Sequence, residues 1–210
     1  MGYAAGKIAD YLADAASDKP APGGGSVSAL AGALAASMGE MAANFTTGRK
    51  KFKDVQPEIS QSLERLTACR AKLLALMDAD VGVYQDVSVA YGMPKGTEQE
   101  SAARAEAIQN ALQEAMKVPL SVMLQCAVVS EIAACLVRIA NPNLITDVGV
   151  SAILAEAACA AAALNVEVNL KFIKDPAVAQ RVRPEIAEII QKTAECRGAV
   201  ERAVHHHLSR

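Results

Sequence analysis

The sequence predicts an all-α fold: one domain over residues 1–210, a bundle of seven or eight helices that includes one very long one. Three observations carry this. Hydrophobic residues make up 52% of the chain but aromatic residues only 3%, with no tryptophan. Alanine alone accounts for 43 of the 210 residues, so the core must be made of small and aliphatic side chains on closely packed helices. Apolar residues also recur at helical spacing between a few breaks rich in Gly and Pro. The length suffices for one large core, and neither a repeat nor a linker divides it.

The elements follow in order. Residues 2–16 place Ile8, Tyr11, Leu12 and Ala15 on one helical face, before the loop Lys19-Pro20-Ala21-Pro22-Gly23-Gly24-Gly25. A helix of small residues over 26–44 is punctuated by Leu30, Leu34, Met38 and Met41, with Ser26 as its expected N-cap. The very long helix spans 57–90, with Pro57 at its first position. Steps of four and three along it give Ile59, Leu63, Leu66, Arg70, Leu73, Met77, Asp80, Tyr84, Val87 and Tyr91, a seam facing other helices that Arg70 and Asp80 interrupt. After the turn at Gly92-Met93-Pro94-Lys95-Gly96, Thr97 and Glu100 supply a capping box. The helix that follows is expected to end or kink at Pro119, where another runs to Ala140. Asn141-Pro142-Asn143 breaks the chain, Asp147 caps a helix reaching Asn169, and Asp175-Pro176 opens a last region interrupted at Pro184.

Composition and residue placement exclude several classes of function. A net charge of −2 lacks the basic field of a nucleic-acid binder, so no nucleic-acid partner is expected. All three histidines stand together at His205, His206 and His207, so no metal site is expected in the body of the chain. The five cysteines never form C-x-x-C and sit in apolar stretches, as free thiols do in a reducing cytoplasm. Residues 20–39 carry no charge but are rich in Gly, Ala and Ser, unlike a signal peptide or membrane span, so no membrane anchor is expected. Several Ala-rich helices read as apolar on more than one face, which predicts a homodimer or a dimer of dimers.

Few residues remain to carry chemistry. Gly23, Gly24, Gly25 and Ser26 precede a helix, where free amides favour an anion and glycine lets a ligand approach the backbone; a tight turn with close packing explains them equally. No Gly-Lys-Ser/Thr follows, so no nucleotide is implied. Asp80 is notable for its place: a carboxylate on an apolar seam must be paired, hydrogen-bonded or protonated, which fits acid/base work or a buried salt bridge. Lys50 and Lys51 belong to a basic run that can simply be a solvated face. Breaking and capping suffice for Asn143 and Asp147, whereas Asn165 and Asn169 share a face inside a helix and suit a buried hydrogen-bonding role.

The strings PAPGGGSVSALAGALAASMGEMAANFTTGRKKF, DADVGVYQDVSVAYGMPKGT, NPNLITDVGVSAILAEA and AAALNVEVN, in this order, resemble the cyclodeaminase/cyclohydrolase family of folate enzymes. Arg49 stands where many relatives carry lysine, and Phe52 where tyrosine is frequent. The resemblance implies an all-helical homodimer with its active site near the subunit interface and tetrahydrofolate as the one-carbon carrier. It extends to Gly23, Gly24, Gly25, Ser26, Lys50, Lys51, Asp80, Tyr91, Pro94, Lys95, Gln109, Asn143, Asp147, Asn165 and Asn169. Asp80 is the expected acid/base, with Lys50 or Lys51 assisting proton transfer or binding the glutamate tail, and Asp147 or an asparagine on the pterin edge. Cyclodeamination of 5-formimidoyltetrahydrofolate leads, with 5,10-methenyltetrahydrofolate cyclohydrolysis as the alternative; both pass through a tetrahedral carbon between two nitrogens and neither needs a metal. A non-catalytic folate-binding dimer is the reading from another class.

Overall fold

The computed structural model describes residues 2–210, and every regular element in it is helical. The six α-helices are α1 (Ile8–Ala15), α2 (Gly24–Asn44), α3 (Gln56–Gly92), α4 (Glu98–Ile139), α5 (Ile145–Phe172) and α6 (Pro176–Leu208). Short 3₁₀ segments cover Tyr3–Ala5, Lys50–Val55 and Pro142–Leu144. The expected count of seven or eight helices is corrected to six because neither interior proline ends a helix: Pro119 lies within α4 and Pro184 within α6. Each removes one backbone donor, but the helix is held on both sides of the gap. Pro119 is buried in α4, which packs on α2, α3, α5 and α6.

The helix ends match their sequences with small shifts. Thr97 Oγ1 accepts the Glu100 N–H at 3.1 Å and Glu100 returns a carboxylate to the Thr97 N–H at 2.9 Å, closing the capping box. Asp175 Oδ1 accepts from Ala177 N at 2.9 Å. Ser26 and Asp147, expected as caps, both lie inside their helices: α2 opens from Gly23, and α5 starts at Ile145 with Asp147 in its first turn. At that position Asp147 can still favour the positive helix end.

The core forms where α2 lies against α3 and α5. Ile59, Leu66, Leu73 and Met77 of the long seam are buried. α2 meets them with glycine: a Cβ on Gly32 would stand 3.0 Å from Cys126 Sγ and 3.1 Å from Leu73, and one on Gly39 would stand 3.0 Å from Leu66. Arg70, the first interruption of the seam, reaches Glu40 of α2 with its Nε at 2.6 Å. Ser151 of α5 donates to the Ala35 carbonyl of α2 at 2.7 Å. α4 and the 142–172 segment are long and apolar enough to cross a membrane by length and composition alone; in this bundle they hold its most extensive packing against each other.

Past Met77 the same seam opens. Asp80, Tyr84, Val87 and Tyr91 leave the core and become a wall of a cleft at one end of the bundle. At the other end, the Thr46 hydroxyl, which donates to Ala42, accepts the Asn141 N–H at 2.9 Å, tying the end of α2 to the loop before α5.

The interior prolines make a prediction. Pro184 is exposed, so Pro184→Ala restores the missing amide of α6 without disturbing the core, and should raise stability by about 1 to 3 kcal/mol in chemical denaturation. An unchanged or lower midpoint would show that packing around α6 requires the proline at 184.

Candidate active site

The cleft has a volume of about 360 Å³, within the range of small-molecule sites. The loop before α2 contributes Pro20, Ala21 and Gly23; α2 gives Gly24 and Gly25; α3 gives Asp80, Val83, Tyr84, Val87 and Tyr91. α4 adds Leu112, Ala115 and Pro119, and α5 adds Asn165, Val168, Asn169 and Phe172. Most of this lining is apolar or aromatic, so the polar groups stand out.

Asp80 holds the centre. Its Oδ2 accepts the backbone N–H of Ser26 at 2.9 Å, one of the amides that the first turn of a helix leaves free. Burial pushes the Asp80 carboxyl above its ordinary range, while the Ser26 N–H pulls it back part of the way. Among the described residues no cation forms a salt bridge with it. The charge is therefore faced by the amide end of α2, and burial leaves the group readier to take up a proton than an ordinary carboxylate.

The glycines make this approach possible through space rather than through unusual backbone angles. A Cβ on Gly25 would fall 2.1 Å from Asp80 Oδ1, and one on Gly24 would fall 3.2 Å from the Asn165 amide. Gly23 has open space and an extended φ of −109°, and the one glycine with positive φ is Gly48. Asn165 Nδ2 donates to Ala161 O and Asn169 Nδ2 to Asn165 O, both at 2.9 Å. Each amide thus spends one of its two N–H donors on its own helix and leaves its oxygen without a protein donor at the cleft.

Not every residue singled out from sequence reaches this cleft. Gly23, Gly24, Gly25, Asp80, Tyr91, Asn165 and Asn169 line it together. Ser26 is fully buried below it, its hydroxyl donating to the Met77 carbonyl at 2.9 Å. Gln109 supports the wall: its Nε2 donates to the Phe172 carbonyl at 3.2 Å and its Oε1 accepts from Lys174 N at 2.7 Å. Lys95 lies exposed in the turn after α3. Lys50, Lys51, Asn143 and Asp147 are at the opposite end of the bundle, because Asp80 stands about 36 Å up α3 from Gln56 at the helical rise per residue. There Lys51, Arg138 and His207 border a second cleft of about 440 Å³. Among the described residues no cluster of three or more His, Cys, Asp or Glu could hold a metal ion.

Tyr84, Phe172, Leu112 and Pro119 were not foreseen at the site. Tyr84 had a signal, since it belongs to the seam that carries Asp80 and Tyr91. Phe172, Leu112 and Pro119 come from other helices, and only the packing brings them here. Pro119 also has no N–H, so the Ala115 carbonyl beside it in the wall lacks its usual helical donor.

A family model described as formiminotransferase-cyclodeaminase matches residues 7–188. A methenyltetrahydrofolate cyclohydrolase of Methylorubrum extorquens is 38% identical over 183 residues, 87% of this chain and 88% of that protein. A formimidoyltransferase-cyclodeaminase of Sus scrofa is 31% identical over 186 residues, which is 87% of this chain but 34% of that protein. A crystal structure of formiminotetrahydrofolate cyclodeaminase from Thermotoga maritima matches with a TM-score of 0.87 at 31% identity, covering 96% of this chain and 97% of that one.

The glycine geometry predicts a graded series. Gly23→Ala should be nearly silent, Gly24→Ala mild because the Asn165 amide can yield, and Gly25→Ala severe because it displaces the Asp80 carboxylate. Turnover and ligand affinity measured on the three, alongside unfolding, should fall in that order, with Gly25→Ala losing roughly 10²-fold in kcat or more. Equal effects at all three positions would contradict the steric account.

Proposed function

The chain belongs to the formiminotransferase-cyclodeaminase family, and from that premise we propose that it is a tetrahydrofolate one-carbon enzyme working at the carbon between N5 and N10. The observation that carries the reading is the Asp80 carboxyl, half-buried without a cation and held against the first turn of α2 within an apolar cleft. In cyclohydrolysis, water adds to the bridging carbon of the 5,10-methenyl cation. Asp80 takes the proton released by the attacking water and returns it to N5 as the C–N5 bond breaks, while the remaining hydroxyl proton passes to solvent as the C=O bond forms, leaving 10-formyltetrahydrofolate. In cyclodeamination, N10 attacks the carbon of the protonated formimidoyl group on N5, and the same carboxyl moves the N10 proton to the departing nitrogen, which leaves as ammonia and gives the 5,10-methenyl cation. A carboxyl whose affinity for protons is raised by burial suits both transfers. The amide oxygens of Asn165 and Asn169 would accept from N–H groups of the pterin edge, and Tyr84, Tyr91 and Phe172 would cover its apolar faces.

Between the two reactions, cyclohydrolysis takes precedence over the cyclodeamination favoured by the sequence reading. Its support is the cyclohydrolase relative, 38% identical and of matching length. Cyclodeamination is favoured by the Thermotoga maritima neighbour, also of matching length. A cytoplasmic location belongs to the same proposal, supported by the five free cysteines, which a reducing compartment keeps as thiols.

A homodimer completes the proposal. α2 leaves Val27, Leu34 and Met41 exposed, with Phe45 at its C-terminal cap, and the adjacent α5 leaves Val150, Ile153, Leu164, Val168 and Phe172 exposed. Leu164 is 71% exposed, and the one charged side chain of α2, Glu40, is already taken by Arg70. Such a face running the length of both helices fits a second copy. A two-fold axis across it sets the cleft end of one copy beside the basic end of the other, so that Lys50 and Lys51 of the partner subunit serve the Asp80 cleft.

The reaction test is incubation with 5,10-methenyl- and with 5-formimidoyltetrahydrofolate while methenyl absorbance and ammonia are followed. Loss of the methenyl band from the first substrate supports cyclohydrolysis, its appearance with ammonia from the second supports cyclodeamination, and binding without turnover of either leaves a folate-binding dimer. Asp80→Asn should lower kcat by roughly 10²- to 10⁴-fold with little change in affinity. Its effect on stability has a definite sign. Because the folded carboxyl titrates above its unfolded value of about 4, the stability that Asp80 contributes is full below that pH and is lost as pH rises through the folded value. Asp80→Asn should therefore gain on the wild type between acidic and neutral pH. A wild-type kcat in this variant would remove Asp80 from the reaction.

The composite site is tested by mixing. Asp80→Asn and Lys51→Ala protomers, each inactive alone, should recover about a quarter of wild-type activity after subunit exchange, since a mixed dimer keeps one intact site. No recovery despite demonstrated exchange would show that Lys51 of the partner subunit does not serve the Asp80 cleft.

A further inference from the structure

Tyr11 takes no part in the cleft, yet it is 3% exposed and its hydroxyl lies 3.0 Å from Ser26 Oγ. A serine hydroxyl has a single proton, and that of Ser26 goes to the Met77 carbonyl on α3 at 2.9 Å. Tyr11 must then be the donor and Ser26 the acceptor. Burial pushes the Tyr11 hydroxyl above its ordinary range, which keeps it a donor. Ser26 thus clamps α2 to α3 at the turn where its own N–H holds Asp80.

The segment carrying Tyr11 is itself fixed. The Tyr3 ring meets Tyr11 edge to face at 5.2 Å and 84°. Tyr3 OH donates to Asp14 Oδ2 at 2.7 Å, and Ala4 N donates to Asp78 Oδ1 on α3 at 3.3 Å. The residues before α2 therefore form a brace across the back of the site.

We propose that Tyr11 is a positioning residue for the reaction, acting through Ser26 to fix the Asp80 carboxylate against the first turn of α2. The inference rests on Asp80 being the proton-transfer group. Without the Tyr11 hydroxyl, Ser26 keeps its bond to Met77 but loses its donor, and the first turn of α2 loosens against α3. The Ser26 N–H bond to Asp80 lengthens, the carboxyl loses its one contact favouring ionisation, and its titration moves further up. Besides Tyr11, the titratable groups facing this network are Tyr3 and, on α3, Asp78, Tyr84 and Tyr91; α4 and α5 line the cleft with uncharged residues only.

The test is a double-mutant cycle of Tyr11→Phe and Ser26→Ala, with Tyr3→Phe as the control that loosens the brace but spares the Ser26 contact. Tyr11→Phe should lower kcat by about three- to tenfold, the scale of one hydrogen bond, with KM little changed and the acid limb of the kcat profile moved to higher pH. Combined with Ser26→Ala it should add nothing, because both act through one hydroxyl. Tyr3→Phe should lower the unfolding midpoint and leave the limb in place. A second readout needs no turnover: the Asp80 carboxyl titration followed by ¹³C NMR should move up in Tyr11→Phe. If the titration moves and the wild type turns over neither folate, the positioning stands and the proposed reaction fails. Losses that multiply in the double variant, or a wild-type limb and titration in Tyr11→Phe, would overturn the positioning role.

Discussion

The contact between the Asp80 carboxylate and the first turn of α2 is the constraint around which this bundle is organised. A carboxylate inside an apolar cleft loses most of its water, and without a neighbouring cation it can stay only if backbone amides replace that water. The Ser26 N–H does so at 2.9 Å. For the amide to come that close, Gly25 must have no side chain, since its Cβ would fall 2.1 Å from the carboxylate. The same economy of side chains runs down α2, where Gly32 and Gly39 let the helix settle on Leu73 and Leu66. The poverty of aromatic residues and the wealth of alanine thus have one purpose: they allow helices to approach closely enough for backbone to serve as a ligand for a side chain.

Much of this was legible in the sequence. A stripe with alternating steps of four and three marked Asp80 as a carboxylate on a buried face, and it led on to Tyr84, Val87 and Tyr91, which line the cleft with it. The spacing of Asn165 and Asn169 placed both on one face of α5, and both are at the cleft. Pattern alone failed where the outcome depends on a third dimension. A tight turn explains the glycine string as readily as a ligand does, whereas in the structure Gly25 makes room for the Asp80 carboxylate. Pro119 and Pro184 read as helix ends, but packing on both flanks carries the helices through. Ser26 read as a cap or a ligand group, and it is instead a buried clamp whose partner, Tyr11, lies on another helix.

The separation of Lys50 and Lys51 from Asp80 was available from the sequence and is the most instructive case. A helix that begins just after the basic run and carries Asp80 two-thirds of the way along must hold the two ends far apart in one chain. The shared resemblance grouped them; the rise of the helix divides them. The exposed apolar face of α2 and α5 is where the proposed antiparallel second copy would return the basic end to the cleft.

The central claim is that Asp80 stands at the reacting carbon, and the most direct measurement is a structure with a non-reacting folate analogue that bridges N5 and N10. The account predicts the bridge in the cleft between α2, α3 and α5, its carbon or adjoining nitrogen about 3 to 3.5 Å from an Asp80 oxygen. An analogue bound with its bridge in the cleft bordered by Lys51 and His207, or in the Asp80 cleft with the bridge turned away from that carboxylate, would contradict it.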